Sequence, residues 1–161
     1  LLITIRGNVS CDNTLKGNIM NPILNVLIAL AGLGFGVFVA RTFWKAGNFK
    51  LKGDKAAFAA AGFGWAEKTP IGVIRVIGLL EVLGAIGVVL APAVALIPGL
   101  EFAQFFGVAA GAGLALTMLV AAIMHGARGE LKYTAKGNFS LLAFALIAAV
   151  LDALVVLPIA F

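Results

Sequence analysis

Residues 70–91 read PIGVIRVIGLLEVLGAIGVVLA, an apolar run of 22 residues interrupted only by Arg75 and Glu81. About 20 residues at 1.5 Å each cross the ~30 Å of hydrocarbon in a bilayer, so this stretch has the length of a transmembrane helix. A barrel strand would be shorter and would alternate polar with apolar residues. Three more runs of similar kind follow the same reading, at Pro22 to Ala40, Phe102 to Met124 and Phe139 to Ile159. The fold class predicted is all-α, a polytopic transmembrane four-helix bundle. Leu1 to Ile19 is polar and mixed and lacks the layout of a secretory signal. It is expected to be a disordered extension or an artefact of start-site choice, with a single domain from residue 20 to 161.

Composition agrees with a membrane chain. Hydrophobic residues make up 62%, charged residues 12%, and mean hydropathy is +1.10, whereas a soluble domain carries about a quarter charged residues. The net charge of +5 sits between the apolar runs instead of forming a soluble basic surface, which argues against a nucleic-acid partner and for a topology signal. Arg41, Lys45, Lys50, Lys52, Lys55 and Lys68 fall between the first and second runs, and Arg128, Lys132 and Lys136 between the third and fourth. Pro92 to Glu101 holds no Lys or Arg. The positive-inside rule then places both basic loops in the cytoplasm and both termini outside, in the cytoplasmic membrane. Trp44 and Trp65 read as headgroup anchors, and Lys55 to Ala66 as either a short interfacial helix or an irregular loop.

Cys11 and His125 are each the only residue of their type. The chain alone therefore cannot form an internal disulfide, a cysteine-held iron–sulfur cluster or a bis-histidine haem site, and no metal site is expected. Gly32, Gly34 and Gly36 lack the strand-turn-helix context of a dinucleotide fingerprint. Gly32 with Gly36, Gly107 with Gly111, and Gly78 and Gly84 around Glu81 instead read as helix-packing positions.

Arg75 and Glu81 are the informative residues. Thirteen Ile, Leu and Val side chains between Ile71 and Leu90 favour insertion by roughly 4 to 8 kcal/mol, while two central charges oppose it by roughly 5 to 7. The helix needs protein partners. Asp152, in the fourth run, is estimated to lie at nearly the depth of Glu81, which predicts an intramembrane cluster of Arg75, Glu81 and Asp152. That cluster has three readings: a structural lock, a site exchanging protons with a quinol or binding a small polar ligand, and a proton-linked transport path. His125, ending the third run, reads as a solvated interfacial residue and a weaker candidate.

The stretch RVIGLLEVLGAIGVVL from Arg75 to Leu90, the loop proline Pro92, and GLALTMLVAAIMHGARGE from Gly113 to Glu130 resemble the DoxX-like family of small four-helix membrane proteins. Gly78, Glu81, Gly84, Gly87, Met118, His125, Arg128 and Glu130 carry the likeness, over roughly two thirds of the chain. The first run departs from it, since Arg41-Thr42-Phe43-Trp44-Lys45 is bulkier and more basic than the family's ending there. The resemblance implies an accessory or quinone-interacting subunit of a membrane redox system, partnered by an oxidoreductase subunit or by further copies of itself and without catalytic activity of its own. Alternatives are a membrane-protein assembly factor or scaffold and, third, a small proton-linked transporter. Quinone is the one cofactor implied, and no catalytic residue carries over.

Overall fold

The structure, a computed structural model, describes residues 22–95, 97 and 99–156; the expected N-terminal extension and the end of the predicted fourth span lie outside them. Four long helices are present among the described residues: α1 (Pro22–Lys52), α4 (Ile71–Val94), α5 (Gln104–Ala127) and α6 (Leu131–Val156). Two short helices, α2 (Lys55–Ala60) and α3 (Trp65–Lys68), join α1 to α4, and a single 3₁₀ turn (Glu101–Ala103) leads into α5. The spans Ile71–Val94, Glu101–Ala127 and Thr134–Leu154 are long and apolar enough to cross a membrane. The chain is a multi-pass, all-α membrane protein.

The helices form a closed ring in the order α1, α4, α5, α6, each antiparallel to its neighbours. Small residues set every seam. A Cβ added at Gly36 would lie 2.9 Å from the Val88 carbonyl oxygen, at Gly78 2.7 Å from that of Gly47, at Gly87 2.8 Å from the Ala110 Cβ and at Gly111 2.9 Å from the Ala149 Cβ. Gly84 receives Leu114, and Gly32 and Gly107 both face Asp152. Lipid tails are as apolar as leucine, so close packing rather than water exclusion holds such helices together. Pro92 within α4 cannot donate to the carbonyl four residues back, which is Val88, and that carbonyl is the one that lies against Gly36. Thr42, Thr117 and Ser140 donate their hydroxyls to the carbonyls of Phe38, Gly113 and Lys136 within their own helices, so they carry no loose polar group into the bundle.

Helix boundaries differ from the predicted spans at two places. The first run was expected to end at Ala40, but α1 continues as helix to Lys52. Its buried face, Gly32, Gly36, Val39, Phe43 and Gly47, keeps the 3.6-residue period straight through the basic stretch. Hydropathy falls there mainly because the outer face turns polar, with Arg41, Lys45 and Lys52 exposed. Similarly, α6 starts at Leu131, eight residues before the predicted Phe139.

The α1–α4 connection is folded rather than irregular. Asp54 accepts the Ala57 N–H at 2.7 Å as the N-cap of α2. Phe58 packs edge-on against Phe49 at 5.3 Å, and Phe63 lies between Phe49 and Trp65, tilted against the first and edge-on to the second. Trp65 is 6% exposed, which corrects its reading as a headgroup anchor: it helps to plug the basic end of the bundle. Trp44 is half exposed on the outer face of α1.

The seam geometry makes a paired prediction. Gly78→Ala should destabilise the bundle by about 1–3 kcal/mol, because the new Cβ meets backbone on α1. Gly34→Ala, with nothing within 4 Å, should be neutral or stabilising by up to ~1 kcal/mol. Thermal unfolding of the two variants in detergent measures the difference.

Candidate functional site

Glu81 is 1% exposed on the inner face of α4. Lys50, near the end of α1, places its Nζ 2.8 and 2.7 Å from the two carboxylate oxygens. The reach depends on the backbones meeting at Gly47 and Gly78, where a Cβ on Gly78 would sit 2.8 Å from the Lys50 Cβ. Arg75, expected to join Glu81, is exposed on the outer face and has no partner among the described residues. It stands one turn inside the start of α4, close enough to the end for its long side chain to extend toward the headgroups.

Asp152 is not at the depth of Glu81. Its carboxyl lies between Gly32 and Gly107, whose added Cβ atoms would come within 3.3 Å of Oδ1 and 3.0 Å of Oδ2, and Pro92 adjoins Gly107 in turn. Along α4, Pro92 is eleven residues from Glu81, about 16 Å at 1.5 Å per residue. Glycine seams, not the apolar ends of the runs, set the register of the spans. Asp152 is 4% exposed. Gln104 donates its amide to Oδ1 at 3.3 Å, and Oδ2 is buried without a hydrogen bond. The predicted cluster is thus three separate residues: an inward ion pair at the basic end, an outward arginine and a buried carboxyl near the opposite end.

His125 is part of the basic-end arrangement. α5 closes on Gly129, whose φ of +72° suits a residue without a side chain. The Glu130 N–H returns to the His125 carbonyl at 2.9 Å and the Gly129 N–H to that of Gly126 at 3.0 Å, the paired bonds that terminate many helices. This turn folds Glu130 back so that its Oε2 lies 2.7 Å from His125 Nδ1. The imidazole is buried and the carboxylate is about one-third exposed. The reading of His125 as a solvated residue is corrected: it is a buried, oriented one. With Nδ1 committed to Glu130, Nε2 is the nitrogen left for another partner.

These groups share a cavity of about 350 Å³ between α4 and α5. Lys50, Glu81, His125 and Asn138 form its polar wall, Phe63 and Trp65 close it at the basic end, and Met118 and Met124 line its floor. Leu80, Leu116 and Val120, each more than half exposed, form a rim on the outer surface of the bundle, where lipid would lie. The Asn138 Nδ2 is buried without a hydrogen-bond acceptor. The arrangement offers a lipid-facing entrance, an apolar floor and hydrogen-bonding groups at the far wall, the usual composition of a small-molecule site. Among the described residues no three His, Cys, Asp or Glu side chains come together to hold a metal.

Lys50, Asn138, Glu130 and Trp65 were not among the candidates read from the sequence. Lys50 looked like one of several loop cations. Its signal was the position three residues after Gly47, on the face that the buried period of α1 extends.

Removing one member of a buried ion pair strands the other. Lys50→Met should therefore destabilise the bundle by about 3–5 kcal/mol, and the double variant Lys50→Met with Glu81→Met should recover much of that loss. A double-mutant cycle from denaturant unfolding in mixed micelles reads both values.

No curated protein and no solved structure matches the chain. Residues 23–150, most of its length and all of the cavity's lining, match the DoxX-like family. With the antiparallel helical bundle and the Glu81 and His125 to Glu130 elements already in place, the chain belongs to the DoxX-like family.

Proposed function

We propose that this protein is an accessory, quinone-interacting subunit of a membrane redox system, and that the cavity between α4 and α5 admits a quinone or quinol headgroup from the bilayer. The observation that carries the reading is the cavity's polarity: lipid-side residues Leu80, Leu116 and Val120 at the mouth, and Lys50, His125 and Asn138 at the opposite wall. A lipid-soluble ring with two oxygen substituents matches that order of apolar entrance and polar end. The Asn138 amide would donate to one ring oxygen. Lys50 spends two of its three N–H donors on Glu81 and has one left to donate. His125, held by Glu130, would accept from a ring hydroxyl or donate to a ring carbonyl according to its protonation.

When bound, a quinone supplies the two-electron chemistry that the side chains lack. One histidine and one cysteine are too few for the chain alone to build a bis-histidine haem or an iron–sulfur centre, so in this reading the electron-transferring centre belongs to a partner oxidoreductase. The basic end, with Lys52, Lys55, Lys68, Arg128 and Lys136, faces the cytoplasm of a cytoplasmic-membrane protein under the positive-inside rule. The quinone headgroup would then sit in the inner leaflet.

Trp65 offers the test. The chain has two tryptophans, so Trp44→Phe leaves Trp65, at the cavity wall, as the sole emitter. In nanodiscs a short-chain ubiquinone analogue should quench it saturably, and Asn138→Leu should weaken binding about five- to tenfold, the loss of one hydrogen bond. Quenching that rises linearly with quinone content and is unchanged by Asn138→Leu and His125→Leu would reject the reading and leave the assembly-factor role in its place.

A further inference from the structure

The outer face of α1 carries cations where the neighbouring helix is apolar. Gly36 lies against Val88 and Gly47 against Gly78, so Arg41 stands level with about residue 83 of α4, near the middle of that helix, and Lys45 with about residue 80. Arg75 is the only charged residue on the outer face of α4. At 1.5 Å per residue, Lys45 and Arg41 are about 7 and 12 Å deeper in the apolar belt than Arg75. Both are exposed, and neither has a hydrogen-bonding or acidic partner among the described residues. A cation exposed at that depth is costly unless an anion meets it.

Beside them runs a shallow groove of about 320 Å³ along the α1–α4 seam. Val37, Ala40 and Trp44 of α1 and Ala85, Ile86 and Val89 of α4 line it, and Arg41 flanks it. The charges and the indole gather toward its basic end, and the remainder leads into the belt as an apolar channel. We propose that this seam is a binding site for an anionic phospholipid, with the phosphate on Arg41 and Lys45 and one acyl chain lying in the groove.

Charge complementarity selects this occupant. A second copy of the chain brings no matching anion at this depth, since Glu81 and Asp152 are buried and Glu101, exposed, stands at the opposite end of the bundle, where it accepts the Gly99 N–H. A partner helix bearing an acid would have to lie across Trp44 and Phe38, both about half exposed and too bulky for the close contact that membrane helices favour. An acyl chain needs only a narrow channel, and the phosphate is drawn below the mean headgroup plane, with local thinning of the bilayer, to meet cations that extend along their own helix toward it. The site lies on a different seam from the α4–α5 cavity and does not depend on the function proposed for it.

Native mass spectrometry of the full chain, released from micelles containing equal phosphatidylglycerol and phosphatidylcholine, tests the assignment. One phosphatidylglycerol should be retained in preference to phosphatidylcholine. The double variant Arg41→Gln with Lys45→Gln should bind it about thirtyfold more weakly, roughly a factor of five for each cation that meets the anionic headgroup, and Arg75→Gln should bind as the unaltered chain does. Ala40→Leu, which fills the groove and leaves every charge in place, should also lose the lipid, so the assignment stays testable if the double variant fails to fold. Equal retention of the two lipids, full retention in the charge or groove variants, or displacement of the lipid by an acidic membrane protein crosslinked at Lys45 would overturn it.

Discussion

The ion pair between Lys50 and Glu81 is the constraint from which the basic half of this molecule follows. A charged carboxylate on the inner face of a lipid-spanning helix is held most firmly by a cation inside the protein. The nearest one belongs to α1 and is reached only if α1 stays helical for three turns beyond its apolar run. It must also approach α4 closely enough for a lysine stem to suffice, and glycines at 47 and 78 allow that. Once the two helices are fixed in this register, their connection has little length to spend. It folds into α2 and α3, which carry Phe58 and Trp65 over the end of the bundle and close one side of the cavity.

The two buried carboxyls therefore have different surroundings. Asp152 is enclosed by glycine, proline and a glutamine amide, with no cation paired to it among the described residues. Glu81 is enclosed on the α1 side but forms part of a wall that also holds His125 and Asn138. Both interrupt apolar helices in similar fashion, and Glu81 borders the α4–α5 cavity. The turn after α5 adds to this difference, because the same glycine that ends the helix also brings Glu130 onto the imidazole.

Much of the fold was legible because the bilayer reduces the problem to length and hydropathy, and three apolar runs map onto α4, α5 and α6 with shifts at their ends. Glu81 was legible from the cost of its charge. Its partner was not, because Lys50 lies among five other cations in a stretch whose mean hydropathy suggests a loop. The helical period that continues through it is carried by one face only, which an average over all residues conceals. Arg75 and Asp152 were misplaced for a related reason. Helix geometry fixes the angle between two residues on one helix, but the depth of one span against another depends on which glycines meet across each seam. Trp65 resembles Trp44 in composition and neighbourhood, and only the aromatic cluster distinguishes the buried ring from the exposed one.

An apolar pair of the same volume would hold the α1–α4 seam without the desolvation cost of two charges, and such replacements of buried ion pairs are often neutral or stabilising. Stability alone is a poor reason for a lysine here. What the pair provides that leucine and methionine would not is a donor left over at the cavity wall, since three ammonium protons serve two carboxylate oxygens. Glu81 also keeps that ammonium in place in a medium that would otherwise disfavour its charge. The seam and the cavity are in this sense one construction: the bond that sets the register of α1 against α4 is also what keeps a charged donor facing a pocket on the lipid side of the bundle.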